Sequence, residues 1–319
     1  MVVLITFLNR IAFSFAIMRK SEVHIPGIYF VTTLNCTAEC GHCYLSAGPG
    51  KAHTTISHDD FVRVINHLPK KSCDLTIAGG EVFTMKNQLY AFLNYIKEEN
   101  SRREKNRKGK IIVELQTNGF WAKTTNKIKR TLEELADLGV SSLDISSYDK
   151  HHEAAGINQY NLEMLQEQMD SKLAELEDMS LLTIPLIEIR GASPHKYNLM
   201  PIGRANNFKV PLSRLYCDFD VLGCKNFLKE GDVNIREDGS VYACCFSLFK
   251  LPGNIFEDSL EVILARAAKD KKFQALDAQG IKGLALLDGY SAKQINSSIK
   301  KMGKCGFCYS EYVRTGKAA

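Results

Sequence analysis

Three cysteines, Cys36, Cys40 and Cys43, fall within eight residues of one another in the stretch NCTAECGHCYLS. Thiolates at this spacing suit the holding of metal. A structural zinc site takes four protein ligands, so three thiols from one loop leave zinc one short unless a distant residue completes it. A cubane of four irons and four sulfides takes one thiolate per iron, and three cysteines then leave one iron open to an outside ligand. Spacing alone allows both.

The ten cysteines gather at 36–43, 217–245 and 305–308, with Cys73 apart. They are not laid out like the disulfide framework of a small secreted domain, which points to metal binding in a reducing compartment and to a cytoplasmic protein. The 319 residues are enough for one large domain, or a barrel plus a smaller module. A formal charge of +5, from 41 basic and 36 acidic residues, is too mild to imply nucleic acid. The opening MVVLITFLNRIAFSFAIMRK is apolar, but Asn9 and Arg10 interrupt it too early for a membrane span of roughly 20 residues. Its positive charges, Arg19 and Lys20, come last, unlike a signal peptide. It is read as an extra element on the fold, or as a start misplaced from Met18.

The elements that must position the cysteines follow a repeating order. IYFVTTLN is β-rich and leads into the cysteine loop. SHDDFVRVINHL carries an N-cap serine, Ser57, and helical spacing of Phe61, Val64, Ile65 and Leu68. CDLTIAGG (73–80) reads as a strand and NQLYAFLNYIKEE (87–99) as a helix. SRREKNRKGK (101–110) reads as a basic loop, whose charge could attract an acidic partner or simply be solvated. IIVELQTNG (111–119), VSSLDISSYD (140–149) and LLTIPLIEI (181–189) read as strands. Residues 125–139, closed by Gly139, and 161–179 read as helices. Strands alternating with helices imply parallel right-handed βα units, five or six in series, in a full or partial (β/α) barrel. The unusual residues then fall at the C-terminal strand ends, where such barrels keep their chemistry. After MPIGRANN (200–207) the rhythm stops. A hairpin, GDVNIREDGSVYACC, follows with Asp238-Gly239 as its turn. The expected divisions are an extension at 1–27, a barrel at 28–210 and a cysteine-rich module at 211–319.

Cys-x3-Cys-x2-Cys followed by the aromatic Tyr44, after the first strand of a βα series, resembles the signature of radical S-adenosylmethionine (SAM) enzymes. AGGEVF (78–83) looks like the family's Gly-Gly-Glu motif, QTNGFW (116–121) like its third-strand Thr-Asn-Gly element, and MPIGRA like a late-barrel stretch of SPASM/twitch members. The resemblance implies a partial (β/α)6 barrel and a 4Fe–4S cluster on Cys36, Cys40 and Cys43, whose open iron binds SAM. It also implies that Gly79, Gly80 and Glu81 receive the SAM amino group, with Tyr44, Asn118 and Ser146 or Ser147 nearby. Taken alone, Gly79-Gly80 is also an ordinary strand-end turn, and the serines are also plain loop hydroxyls. Arg190, after the fifth strand, is either a carboxylate clamp or a surface arginine. His151, His152 and Glu153 lack metal-ligand spacing and are read as substrate contacts or plain loop.

By the same resemblance Cys224, Cys244, Cys305 and Cys308 close a second, auxiliary 4Fe–4S cluster of the twitch type. Zinc fits four thiolates equally well on spacing alone. Cys217 is a rival to Cys224, with a longer gap to Gly239 than the pattern has. Cys73 is read as a core residue. Cys245 directly follows Cys244, and neighbouring hairpin residues face opposite ways, so Cys245 is the candidate for a free thiol. GSVYACC together with GGEVF and NGFW is similar to the radical SAM peptide epimerases that make D-residues in ribosomal peptides, with aminoglycoside epimerases second. That resemblance makes Cys245 a hydrogen-atom donor and Asp232 a weaker candidate for substrate contact, against a solvated turn carboxylate. A buried Cys245 would instead fit a dehydrogenase or a thioether-forming maturase. A zinc or electron-transfer protein is the non-enzyme alternative. The expected partners are a peptide or small-molecule substrate and a flavodoxin- or ferredoxin-type reductant, with no nucleic acid or membrane, and the chain is expected to be a monomer. The short extension before the barrel leaves no room for a leader-binding domain.

Overall fold

A computed structural model describes residues 26–146, 150–178, 188–190, 202–204, 226–244 and 246–315. Cys217, Cys224, Cys245 and Ser147 lie outside these, as does the opening apolar stretch. Strands β1 (Gly27–Val31), β2 (Cys73–Ala78), β3 (Ile111–Thr117), β4 (Val140–Ile145) and β5 (Glu188–Arg190) pair in parallel, each beside its predecessor. The helices between them are α1 (His58–His67), α2 (Lys86–Lys105), α3 (Thr125–Asp137), and then α4 (Lys150–Ala154) with α5 (Gln159–Asp178). This is the expected α/β barrel series. The next described strand, β6 (Val233–Ile235), joins the other edge of the sheet, parallel to β1. Antiparallel strands β7 (Ser240–Tyr242) and β8 (Lys250–Asn254) continue outward, so one eight-stranded sheet runs β5-β4-β3-β2-β1-β6-β7-β8. No helix among the described residues is long and apolar enough to cross a membrane.

Alternation along the strands explains the two faces. Ile28, Phe30, Leu75, Ile77, Val113 and Leu115 are buried together with Phe61 of α1 and Phe92 of α2, whose rings stack at 3.9 Å. The intervening residues form a polar face: Tyr29 donates to Gln116, and Thr76 donates to Glu114 at 3.1 Å. The Ser57 hydroxyl caps α1 by accepting from the Asp60 N–H, and Thr124 does the same for α3 at Lys127. Gly139 ends the α3 unit with φ +85°, a conformation glycine adopts without a Cβ penalty.

The stretch 101–110 departs from the expected loop. Its first five residues complete α2, and Arg103 is buried, donating to Pro69 O at 2.9 Å and Gly109 O at 3.2 Å while pairing with Glu99. A charge run reads as loop by composition, but nothing in SRREK breaks a helix, and Arg103 gains buried partners there.

The C-terminal part adds α6 (Phe227–Glu230), α7 (Leu260–Ala267), α8 (Lys271–Gln279), α9 (Ile281–Leu287) and α10 (Ala292–Cys308). Ser291 and Gln294 start α10 with a reciprocal capping box, and Gly303, at φ +72° and ψ 169°, kinks it two residues before Cys305.

Candidate active site at the strand ends

The three-cysteine loop leaves the C-terminal end of β1. It is closed at its base by Cys36 N–H to Gly48 O and Gly48 N–H to Leu34 O, both 3.1 Å, and turned inside by Cys43 N–H to Cys40 O at 3.1 Å. Cys36 and Cys40 are buried, Cys43 is half-buried, and none of the three is in a disulfide. The Ala38 N–H donates to Cys36 Sγ at 3.4 Å, and the Asn118 side-chain amide reaches the same sulfur at 3.6 Å. Burial pushes the Cys36 thiol up to about 11; the Ala38 N–H opposes this and the Glu81 charge adds to it. Three thiols on one short loop, with two N–H donors at the Cys36 sulfur, suit thiolate ligation, since a bound metal deprotonates its thiol ligands. Among the described residues, however, no three His, Cys, Asp or Glu side chains are gathered closely enough to hold a single metal ion.

Glu81 stands at the end of β2, 1% exposed. Its Oε1 accepts from Phe83 N–H at 3.0 Å, its Oε2 from Asn118 N–H at 2.6 Å, and the Thr117 hydroxyl lies 2.9 and 3.1 Å from the two oxygens. Thr117 in turn accepts from Gly119 N–H and Trp121 Nε1, both at 3.1 Å. Desolvation pushes the Glu81 carboxyl up to about 7, against the opposing pull of these donors. The residue expected to receive the SAM amino group is therefore engaged by protein donors, and it fastens the end of β2 to the end of β3. Asn118 continues the chain of contacts to Thr37 Oγ1 (3.2 Å) and Cys36.

Gly79 and Gly80 have a packing reason as well. Gly80 N–H donates to Thr33 O at 2.7 Å and Glu81 N–H to Asn35 O at 2.8 Å, drawing this turn against the chain leaving β1. A Cβ on Gly80 would lie 2.7 Å from Asn35 C and 2.9 Å from Leu34 O, and one on Gly79 would lie 3.1 Å from Thr33 N. The strand-end turn and the site motif are thus the same backbone.

The remaining candidates divide. Ser146 follows β4 at the same end of the sheet, its N–H bonded to Thr117 O at 2.9 Å. Arg190 ends β5 opposite Asp144. Tyr44 packs edge-on against Phe246 at 5.4 Å, so the three-cysteine loop touches the turn that follows β7. Asp232 lies elsewhere: its carboxylate accepts from Gly27 N–H at 2.6 Å, at the N-terminal end of β1, with the whole strand between it and the three-cysteine loop. Its observed work is to anchor β6 to β1. Cys73 is fully buried, its thiol pushed up to about 12, as a core residue would be.

Cys244 and Cys308 are buried, and burial raises the Cys244 thiol while N–H groups of Leu248, Phe246, Phe249 and Ser247 oppose it. Burial and then the nearby Cys244 push Cys305 up to about 12, which places the hairpin cysteine beside the α10 cysteine. Cys305 and Cys308, three apart on a helix, share a face.

Two features carried no role in the sequence reading. His42, between two of the clustered cysteines, packs against His151 and His152 of α4 with ring centroids 5.0 and 4.7 Å away. Gly203 and Arg204, from the MPIGRA stretch, lie on the three-cysteine loop. Both are contacts between distant segments; His151, His152 and the MPIGRA stretch were legible as candidates, but neither His42 nor the pairings were.

Residues 30–165, which carry the three-cysteine loop, Glu81 and Asn118, match the model of the Radical SAM superfamily. YydG of Bacillus subtilis (strain 168), named as a peptide biosynthesis protein, is 25% identical over 228 residues, an alignment spanning 66% of each chain. Among solved structures, BtrN in complex with AdoMet and 2-DOIA superposes with a TM-score of 0.50 at 14% identity, over 80% of this chain and 86% of BtrN. Native anSMEcpe with bound AdoMet gives 0.44 at 14% identity, over 92% and 96%. At 14% identity the likeness to BtrN speaks to fold alone.

Proposed function

We propose that the protein modifies a peptide by radical SAM chemistry, and that the modification is epimerisation by hydrogen-atom return from the Cys245 thiol. The observation that carries the proposal is the three-cysteine loop, buried at the C-terminal end of β1 and linked through Asn118 to Glu81, inside the matched residues. When bound there, the cluster and SAM supply the reductive formation of a 5′-deoxyadenosyl radical, which takes a hydrogen atom from substrate.

The chain's own residues set the stage. Cys36, Cys40 and Cys43 hold the cluster; the turn of Gly79 and Gly80, with Asn118 and Ser146, forms the shelf for SAM beside it. Cys244, Cys305 and Cys308, with Cys224, hold a second 4Fe–4S cluster, a reading supported by the N–H groups around the Cys244 sulfur and by its closeness to Cys305. Phe246, the residue after Cys245 in sequence, packs against Tyr44 of the three-cysteine loop. On this reading the Cys245 thiol delivers a hydrogen atom to the face opposite the one attacked, inverting the carbon, and the thiyl radical left behind takes one electron from the reductant and a proton to restore the thiol. The likeness to YydG favours a peptide over a sugar as substrate. A flavodoxin- or ferredoxin-type donor supplies electrons in the cytoplasm.

The test is made on anaerobically reconstituted protein. It should hold about eight irons and cleave SAM to 5′-deoxyadenosine under reductant; intact clusters without cleavage overturn the reading. In heavy water the product peptide should carry one deuterium at an inverted α-carbon. The Cys245→Ala variant should still form 5′-deoxyadenosine but release no inverted product, and undiminished inversion removes Cys245 from the mechanism.

A further inference from the structure

Residues 203 and 204 stand some 160 positions from the three-cysteine loop in sequence, yet they satisfy much of its backbone. The Arg204 N–H donates to Cys43 O at 3.2 Å, its Nε to Cys40 O at 2.8 Å, and its Nη2 to Ala47 O at 2.6 Å, while Nη1 lies 3.6 Å from the Glu39 carboxylate. One residue thus meets three carbonyls spread over eight positions of the loop, two of them belonging to cysteines. Its side chain is only 21% exposed. Gly203, at φ +55°, presses flat on the same loop: a Cβ there would lie 2.6 Å from Tyr44 Cα and 2.7 Å from Cys43 O.

We propose that Gly203 and Arg204 form a clamp that sets the ligand geometry of the three-cysteine loop, with Arg204 the positioning residue for cluster binding. This rests on the reading that Cys36, Cys40 and Cys43 hold a cluster. A planar guanidinium donates in two directions at fixed angles, and so bridges Cys40 O and Ala47 O across the loop; a lysine ammonium is a single point and cannot span them. Holding these carbonyls outward leaves the thiols, not peptide oxygens, turned toward a bound cluster. The clamp also brings a positive charge to the peptide groups of two ligands. Three thiolates on a 4Fe–4S core carry net negative charge that grows on reduction, so a cation this close favours both thiolate formation and the reduced state. Lys51, bonded to Ser46 O at 2.6 Å, adds a second cation at the loop's edge, but to a carbonyl outside the ligand residues.

The decisive experiment uses hydrogen exchange on the metal-free full-length protein, followed by cluster loading. In Arg204→Gln the amides of Cys36, Cys43, Ser46 and Gly48 should exchange at least tenfold faster, with β2 and β3 unchanged. Gly203→Ala should give the same local pattern, and Arg204→Lys a smaller one. On loading, Arg204→Gln should bind less iron, and the midpoint potential of its N-terminal cluster should fall. A tenfold loss in the reduction equilibrium is about 59 mV for one electron. Arg204→Lys should recover most of the potential, because it keeps the charge, but less of the loading. Unchanged exchange at 36–48 in both Arg204→Gln and Gly203→Ala overturns the clamp, as does acceleration spread evenly over the sheet. If the wild-type protein takes up no cluster, the proposed function fails instead, and the exchange data still decide whether the pair holds the loop.

Discussion

Glu81 is pulled two ways. Burial disfavours its charge and three protein donors favour it, and the balance leaves the carboxyl at about 7 rather than 4.5. A folded-state value raised above the unfolded one has a definite sign: the stability it contributes is full below pH 4.5 and is lost as pH rises through about 7. The difference amounts to about 3 kcal/mol. Glu81→Gln removes the titration, though its amide puts one N–H against another donor, a loss of about 1–3 kcal/mol at all pH values. Urea unfolding of the metal-free protein from pH 5 to 8 should therefore show wild type losing stability relative to Glu81→Gln, and parallel curves would refute this. The Gly-Gly-Glu stretch was legible as part of a site. Its bond to Thr117 was not, although that residue sits in the equally legible QTNGFW, because the join depends on β2 and β3 being neighbours.

At the scale of elements, local signals were legible where local physics decides. Ser57 and Gly139 mark helix ends in sequence, and they mark them in the structure. The stretch 101–105 reads as loop in sequence because Arg103 gains its partners, Pro69 O and Gly109 O, only once the loops before β2 and β3 lie alongside. The turn of Gly79 and Gly80 after β2 is a similar tertiary join. Gly80→Ala would drive a methyl into the backbone of residues 34–35, and overpacking of this kind costs about 1–3 kcal/mol. The expected result is a lower urea midpoint with unchanged m-value, together with displaced Cys36 and Gly48 amide signals. A neutral effect on both would show that the turn relaxes freely and that the contact does not hold the loop.

For the whole molecule, chain order correctly placed β1 to β5 side by side, but nothing in it put β6 against β1. The strand that launches the three-cysteine loop is paired on one edge by residues 74–78 and on the other by residues 233–235, about 205 positions later. That distance has a consequence during synthesis. At roughly 5–20 residues per second, a ribosome leaves the outer edge of β1 open for roughly 10–40 s after it has emerged. An open edge beside a row of buried apolar strands is a template for wrong pairing with another nascent chain. A fragment ending at residue 225 should accordingly aggregate, and supplying residues 226–319 as a separate chain should rescue part of it in a sedimentation assay. Equal solubility of the fragment alone would show that β1 needs no second neighbour. The hairpin that brings Cys244 to the sheet is thus also the piece that seals its growing edge, so no chain can offer a finished cysteine loop on a sealed sheet until its last third has been translated.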